Sequence, residues 1–122
     1  MPASLFRSLS HALRGLRLCF ASERNFRIHT AIGLLAVSAS FALPLLLWQR
    51  VVVWFVVVLV LVLELINSSI ERVVDLVKPQ LHEHARDIKD LMAGAVLLVS
   101  LFAAFIGLIM FLPSALLALR AV

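Results

Sequence analysis

The fold of this chain is decided by residues 51–77, which read VVVWFVVVLVLVLELINSSIERVVDLV. The first thirteen of these residues, up to Leu63, are purely apolar. Thirteen residues at about 1.5 Å each are too few to cross a hydrocarbon core of about 30 Å. A spanning helix must therefore continue through Glu64 and Asn67 while it is still leaving the membrane. The helical pattern then runs on until Pro79 stops it.

Two further apolar segments are long enough to cross a bilayer. Residues 28–48 contain one titratable group, His29, at their start, and Pro44 near their end is expected to terminate or kink the helix. Residues 91–112 form an uncharged run that Pro113 closes. The chain is thus predicted to be one membrane domain over 1–122, with three transmembrane spans in helices 28–48, 51–77 and 86–112 and a very short turn at Gln49 and Arg50.

An amphipathic helix is predicted over residues 3–22, ahead of the first span. Apolar and basic side chains recur at spacings of three and four, which gives the helix two unlike faces. Such a helix lies in the membrane interface, with its arginines toward the lipid head groups. The apolar face carries Leu5, Leu9, Leu13, Leu16 and Phe20, and the other carries Arg7, His11, Arg14 and Arg17.

The composition favours a membrane protein over a soluble one. Hydrophobic residues make up 63% of the chain, whereas soluble domains are roughly 45–50% apolar. The longest apolar runs also lack the polar stripes that a soluble bundle needs. The net charge of +4 comes from basic residues that flank apolar segments, so anionic lipid is a better partner than nucleic acid. Cys19 is the single cysteine, which excludes an intrachain disulfide and a cysteine-based metal site.

The distribution of basic residues predicts the orientation. The first 28 residues carry five arginines and residues 67–90 carry four Lys or Arg, against Arg50 and Arg120 on the other side. The positive-inside rule then places the N-terminus and the second connector in the cytoplasm, and the C-terminus outside. No cleaved signal peptide is expected, because the first apolar run long enough to insert begins after residue 28.

One face of the second predicted span carries the main candidates for chemistry. At about 100° per residue, Glu71 and Asp75 return to within about 20° of the direction of Glu64, with Asn67 beside them. A carboxylate at membrane depth costs roughly 2.5–3.5 kcal/mol on insertion scales, which makes Glu64 a candidate general base. Two structural alternatives stay open: a solvated face, which suits Asp75, and hydrogen bonds between helices through Asn67 and Ser68.

Other charged residues are candidates for the same site. Glu23 is the single acid in the first 60 residues, and it could share a divalent metal with Glu71, since magnesium takes one or two carboxylates plus substrate phosphates. An interfacial ion pair is the alternative for Glu23. Lys89 and Asp90 lie at the entrance to the third span, where a lysine either binds phosphate or simply follows the positive-inside rule.

The common nucleotide-binding and zinc-binding motifs are absent from the sequence. None of the four glycines belongs to a Gly-rich phosphate loop followed by Lys and Ser or Thr. The kinase-type catalytic loop is also missing. His82 and His84 do not share a helix face and have no nearby cysteine, so a zinc site is not expected there. Any nucleotide chemistry must therefore use an unusual site.

Four blocks of the sequence, taken together, resemble the small prokaryotic diacylglycerol/undecaprenol kinase family of integral membrane lipid kinases. The match covers about residues 6–112, and the third and fourth blocks combined are its specific part. The blocks are Gly15-Leu-Arg17, Glu23-Arg-Asn-Phe-Arg-Ile-His29, Glu64-Leu-Ile-Asn67-Ser68-Ser-Ile-Glu71-Arg-Val-Val-Asp75 and Lys89-Asp90-Leu-Met-Ala-Gly-Ala-Val-Leu.

The resemblance implies an all-α fold with an interfacial helix and three transmembrane helices, assembled as a homotrimer with active sites shared between subunits. It implies ATP as co-substrate, Mg²⁺ as cofactor and a lipid alcohol as acceptor in the inner membrane of a prokaryote. By the match of motifs, the resemblance implies that Glu64 is the catalytic base and that Asn67 is the active-site amide. It implies that Glu23 and Glu71 bind the metal and that Lys89 and Asp90 contact the nucleotide. His82 would lie near the adenine, and Arg17 would join Glu64 at the lipid substrate.

The same blocks bear on the identity of the lipid. The Glu-Arg-Asn-Phe-Arg-Ile-His and Lys-Asp blocks and the closing Phe-Leu-Pro are more similar to the undecaprenol kinase branch, which favours undecaprenol over diacylglycerol. The alternative from another class is a non-enzymatic membrane protein, such as a channel subunit or an assembly factor. In such a protein the face of the second span that carries Glu64, Glu71 and Asp75 would bind an ion or a partner.

Overall fold

A computed structural model describes residues 2–80 and 83–121 of the chain. Over these ranges the protein is all-helical, which confirms the all-α part of the predicted fold class. α3 occupies the middle of the bundle, where it packs against α2 on one side and α4 on the other, while α1 makes smaller contacts with α2 and α3. The helices are α1 (Pro2–Ser22), α2 (Arg24–Ala42), α3 (Leu47–Leu76) and α4 (Ala85–Arg120).

Two of the described helices, α3 and α4, are long and apolar enough to cross a membrane. Within the most apolar 18-residue stretch of each helix, 28% of the residues are buried in α3 and 6% in α4. The core helix of a soluble protein is mostly buried, so neither helix resembles one. α2 has 19 residues, but Arg24, Arg27 and His29 occupy its first two turns and shorten its apolar part. A third span therefore stays a prediction.

The apolar face of α1 does not pack against the rest of the chain. The five side chains predicted for this face are between 44% and 73% exposed. Contact with the bundle comes near the end of α1, where Cys19 is 4% exposed. This arrangement leaves the apolar face of α1 available to a membrane surface.

The turn between α2 and α3 differs from the predicted one. α2 ends at Ala42 and α3 begins at Leu47, so Gln49 and Arg50, predicted as the turn, lie in the first turn of α3. The reason is Pro44, which holds the residue before it extended, at φ −99° and ψ 152°. The Gln49 side chain then accepts a hydrogen bond of 2.8 Å from the backbone N–H of residue 46 and caps the start of the helix.

The end of α4 also differs from the prediction that Pro113 closes the third span. Pro113 lies inside a helix that continues to Arg120. A proline removes one backbone hydrogen bond, and membrane helices tolerate that loss. The neighbouring Ser114 is buried and donates a hydrogen bond of 3.5 Å to the carbonyl of Pro44. α4 is thereby tied to the α2–α3 turn.

A close approach between α2 and α3 occurs at Gly33. A Cβ atom at this position would lie 2.6 Å from Cγ1 of Val57, which is closer than two carbon atoms can pack. The missing side chain therefore lets the two helices meet, one helical turn after His29. This contact holds the first part of α2 against α3, where the candidate site lies.

Candidate active site

Glu64 lies on the face of α3 that meets α2, and it is 3% exposed. Its Oε1 atom is 2.8 Å from Nδ1 of His29. Neither of these two buried atoms has a hydrogen-bond partner in the described part of the chain. A buried carboxylate oxygen without a hydrogen bond is costly, so this position is a candidate for function.

Glu23 is the residue between α1 and α2, and its side chain reaches across to α3. Its Oε1 accepts hydrogen bonds from Ser68 Oγ at 3.1 Å and from Ser22 Oγ at 3.3 Å. Arg72 Nη2 lies 3.7 Å from the same oxygen and donates to Ser22 Oγ at 2.8 Å. These contacts place Glu23 beside the acidic face of α3, although it is far from that face in sequence.

Asn67 and Glu71 lie on the same face of α3 as Glu64. Asn67 Nδ2 donates a hydrogen bond of 3.2 Å to Glu71 Oε1, while Asn67 Oδ1 is buried and has no partner in the described part of the chain. Because Ser68, which binds Glu23, is three residues before Glu71, both carboxylates lie on one side of α3. The structure thus brings Glu23, Glu64, Asn67 and Glu71 together.

The remaining predicted site residues are less closely grouped. Lys89 Nζ lies 2.7 Å from Asp75 Oδ1, so α4 presents this lysine to the same face of α3, one turn beyond Glu71. Asp90 is exposed and pairs with Arg86 at 3.8 Å. Arg17 is exposed on α1. His82, predicted near the adenine, lies outside the described residues.

An apolar groove of about 590 Å³ runs along α3 between α2 and α4. On α3 the groove is lined by valines at spacings of three and four, and Glu64 follows Val60 on the same stripe, so the carboxylate lies at the end of the groove. His29 and Ser100 are polar residues in an otherwise apolar lining. A hydrocarbon chain fits such a groove, with its polar end near Glu64.

Cys19 packs under the site from α1. Burial raises the pKa of the Cys19 thiol, and the carboxylates of Glu23 and Glu64 add to this effect. The thiol therefore stays protonated near neutral pH. The buried thiol of the single cysteine therefore has a packing role.

Several residues of the site were not singled out from the sequence as site residues. His29 was noted as the titratable group at the start of an apolar segment, and an intramembrane histidine is itself a signal of function. Arg72 gave no such signal, because Ser22, to which it donates a hydrogen bond, lies 50 residues away along the chain. Ser22 is next to Glu23 in the sequence, but a single serine is not a pattern that indicates a site. Ser100 is a polar residue in an uncharged run, which is a weak signal.

These observations define an all-helical membrane protein with a buried carboxylate and an acidic helix face at the end of an apolar groove. Comparison with known proteins identifies the family. The family model described as prokaryotic diacylglycerol kinase matches residues 10–111, and the chain belongs to this family of lipid kinases, as the four blocks predicted.

Individual relatives carry two different names. The chain is 40% identical to the diacylglycerol kinase of Synechocystis sp. over 90% of its own length and 63% of that protein. It is 34% identical to the undecaprenol kinase of Bacillus subtilis over 88% of both chains. It is also 32% identical to the diacylglycerol kinase of Escherichia coli K12 over 81% of both. The chain thus spans somewhat less than two thirds of the Synechocystis protein, and the names leave the lipid alcohol open.

Proposed function

We propose that this protein transfers the γ-phosphate of ATP to the hydroxyl of a membrane lipid alcohol at the cytoplasmic face of the membrane. The observation that carries the proposal is the buried carboxylate of Glu64 beside His29, at the end of an apolar groove. A lipid alcohol keeps its tail among apolar side chains and brings a hydroxyl to their polar end. Membership of the prokaryotic diacylglycerol kinase family supports the same reaction.

The proposed chemistry needs one base and several positioning groups. Glu64 accepts the proton of the lipid hydroxyl as its oxygen attacks the γ-phosphorus, and the bond to the β-phosphate oxygen breaks to release ADP. His29 fixes the orientation of the Glu64 carboxylate through their 2.8 Å contact. Lys89 supplies positive charge near the phosphates, and Asn67 presents its free amide oxygen to the same region. Phosphoryl transfer depends mainly on such positioning and charge neutralisation.

The acidic face has donors that fit a magnesium ion. Two carboxylates, Glu23 and Glu71, and the unpartnered Oδ1 of Asn67 are the oxygen ligands that Mg²⁺ prefers. Residues 2–80 and 83–121 contain no group of three or more His, Cys, Asp or Glu able to hold a metal ion by themselves. We therefore infer that Glu23, Glu71 and Asn67 would hold the ion together with the phosphates of ATP, whose charge it would neutralise.

The membrane topology is part of the proposal. Three spans, with α2 as the first, place the N-terminus in the cytoplasm and the C-terminus outside, whereas spans at α3 and α4 alone place both ends on one side. A reporter that is active only in the cytoplasm, fused after residue 121, should give no signal, and the same reporter fused before residue 1 should be active. Activity of both fusions would contradict the three-span arrangement.

The proposed homotrimer with shared sites has its own test. If Glu64 of one subunit works with Glu71 of its neighbour, mixing inactive Glu64→Gln and Glu71→Gln subunits restores part of the activity, because some interfaces then combine intact residues. Each variant mixed with itself is the control. A mixture that stays as inactive as its components would show that each site uses the residues of one subunit.

The central experiment is a phosphate-transfer assay on purified protein in mixed micelles. Radiolabelled ATP and Mg²⁺ are supplied with undecaprenol, with diacylglycerol or with no alcohol, and the label in the lipid is measured. We expect label in at least one lipid alcohol and its loss when Mg²⁺ is chelated. ADP release that does not depend on an alcohol, or no transfer to either lipid, would overturn the proposal and favour the non-enzymatic alternative.

A further inference from the structure

Ser100 differs from other hydroxyl-bearing residues of the described helices. Thr30, Ser40 and Ser69 each donate a hydrogen bond to the backbone carbonyl three or four residues earlier. The Oγ atom of Ser100 is buried and has no partner in the described part of the chain. Because an unpaired buried hydroxyl is costly, this atom is expected to meet a polar group that the protein itself does not supply.

The register between α3 and α4 places Ser100 at the depth of Glu64. The two helices run in opposite directions, and the contact of 2.7 Å between Asp75 and Lys89 aligns them at one end. Glu64 lies eleven residues before Asp75, and Ser100 lies eleven residues after Lys89. Equal numbers of helical residues cover equal lengths, so Glu64 and Ser100 are level with each other.

A second contact shows that α3 and α4 keep this register over most of their length. Val53 and Met110 belong to one buried cluster. Val53 lies eleven residues before Glu64, and Met110 lies ten residues after Ser100. The alignment is therefore maintained on both sides of the level shared by Glu64 and Ser100.

Three polar side chains from three helices lie at this level, and two of them line the groove. His29 of α2 and Ser100 of α4 line the groove, and Glu64 of α3 continues its valine stripe. Each of the three carries a buried polar atom without a hydrogen-bond partner among the described residues. Farther along α4 the lining is apolar, at Ala103, Ala104 and Gly107 among others. The groove thus has a polar end with a hydroxyl donor on the side opposite the carboxylate.

We propose that Ser100 determines lipid specificity by donating a hydrogen bond to an ester carbonyl of the bound lipid. The proposal rests on the kinase function and names the substrate class as an ester-bearing lipid alcohol, such as diacylglycerol. In diacylglycerol an ester is attached to the carbon next to the one that bears the free hydroxyl. One lipid end can therefore reach Glu64 on α3 and Ser100 on α4, whose axes as packed helices are about 8–10 Å apart.

Undecaprenol is a poorer match to the same residues. Beyond its hydroxyl it is a pure hydrocarbon, so it has no acceptor for Ser100 and would leave that hydroxyl unpaired in an apolar groove. A site built to hydrogen-bond a substrate group discriminates against an analogue that lacks the group. The preference inferred from Ser100 is thus opposite to the preference for undecaprenol that the sequence blocks indicate.

The test compares two lipids that differ only in the carbonyl groups. Dioctanoylglycerol and its diether analogue dioctylglycerol have the same free hydroxyl and tails of the same length, but the diether has no ester carbonyl. The wild-type protein should phosphorylate the ester lipid with a kcat/KM about five- to tenfold higher than the diether, as loss of one hydrogen bond predicts. Ser100→Ala should remove this preference by lowering the value for the ester lipid alone.

Ser114→Ala is the matched control. Ser114 is the other buried serine described on α4, but its hydroxyl is directed to the carbonyl of Pro44. This variant should keep the wild-type ratio between the two lipids. Undecaprenol serves as a third substrate, and Ser100→Ala should leave its rate unchanged or raise it.

The outcomes separate this proposal from the kinase function. If the wild-type protein phosphorylates both lipids and Ser100→Ala leaves their ratio unchanged, the assignment of Ser100 is wrong while the kinase function stands. Equal losses with both lipids would also overturn it, since they would indicate a contact to the shared hydroxyl or a general loss of structure. If the wild-type protein phosphorylates undecaprenol but neither glycerolipid, the assignment of Ser100 is wrong while the kinase function stands. If it phosphorylates none of the three lipids, both proposals are wrong. Thermal unfolding of each variant in detergent establishes that the ratios refer to folded protein.

Discussion

Two polar clusters lie at opposite ends of the α2–α3 pair, and they differ in how their hydrogen bonds are satisfied. In the first, which we call the Trp54 cluster (Ser40, Arg50 and Trp54), each residue has a hydrogen-bond partner. Trp54 Nε1 donates to Ser40 Oγ at 2.9 Å, and Arg50 Nε donates to the carbonyl of Ser40 at 2.8 Å. Ser40 Oγ in turn donates to the carbonyl of Val37 at 2.6 Å.

The second, the Glu64 cluster (His29, Glu64 and Asn67), is as well enclosed but incompletely bonded. Each of its three members has a buried polar atom without a hydrogen-bond partner among the described residues. A satisfied cluster stabilises the contact between two helices, whereas unsatisfied buried atoms reduce stability unless a ligand completes them. The comparison fits a structural role for the Trp54 cluster and the proposed catalytic role for the Glu64 cluster. Substitutions in the two clusters should therefore have opposite signatures.

The largest effect is expected for Glu64→Gln. Glutamine keeps the size of the side chain but cannot accept the proton, so the rate of lipid phosphorylation should fall by about 10²–10⁴-fold. Thermal stability should stay nearly unchanged, because glutamine keeps the shape of the side chain and Oε1 of Glu64 makes no hydrogen bond within the described residues that could be lost. Phosphate transfer checks the predicted rate and thermal unfolding checks the predicted stability, both measured on the same preparation. A folded Glu64→Gln protein with near-normal turnover would show that Glu64 is not the base.

The next largest effect is expected for Gly33→Val, which breaks the contact that brings the two helices together. The new side chain would collide with Val57, and overpacking of this kind costs about 1–3 kcal/mol. Both thermal stability and activity should fall, because His29 is displaced from Glu64 along with α2. Gly15→Ala, where nothing lies within 4 Å of the added Cβ, is the control and should not lower stability. Equal stability of the two variants would contradict the close approach at Gly33.

A smaller effect is expected for His29→Phe, which keeps a ring but removes the nitrogen that lies 2.8 Å from Glu64. The Glu64 carboxylate loses the contact that orients it, and kcat should fall about tenfold, which corresponds to about 1.4 kcal/mol in the barrier. The KM for ATP should not change, because no hydrogen bond or ion pair among the described residues joins His29 to Lys89 or Asn67. His29→Asn places an amide nitrogen near the position of Nδ1 and should recover part of the rate. If Phe and Asn behave alike, the contact has no role in orienting Glu64.

The smallest effect is expected at the Trp54 cluster. Trp54→Phe removes the donor to Ser40 but keeps an aromatic ring beside Phe41, whose centroid is 5.4 Å away. Stability should fall by about 0.6–1 kcal/mol, the value of one hydrogen bond between membrane helices, while turnover per folded molecule stays unchanged. Thermal unfolding with a parallel rate measurement checks this. A large loss of turnover at unchanged stability would contradict the structural role assigned to this cluster.

The sequence predicted the features that depend on short-range periodicity. Apolar runs indicated the helices, and steps of about 100° per residue placed Glu64, Asn67 and Glu71 on one face of a helix. The blocks that carry these residues also indicated the family, which the match over residues 10–111 confirms. The positions where helices end were less predictable. Pro44 moved the turn to residues 43–46, whereas Pro113 did not end its helix, because one missing backbone bond is tolerated within a long apolar segment.

Only the tertiary structure decided which residues of different helices meet. Glu23 reaches Ser68 across 45 positions of sequence, and His29 reaches Glu64 across 35. These contacts depend on how closely two helices approach, and that distance is set at Gly33 by an absent side chain rather than by any pattern within one helix. In the sequence Ser100 is one residue of an uncharged run, and only the register of α3 and α4 shows that it lies level with the carboxylate of Glu64. Periodicity within a helix fixes the face of a residue, and packing between helices fixes its partner.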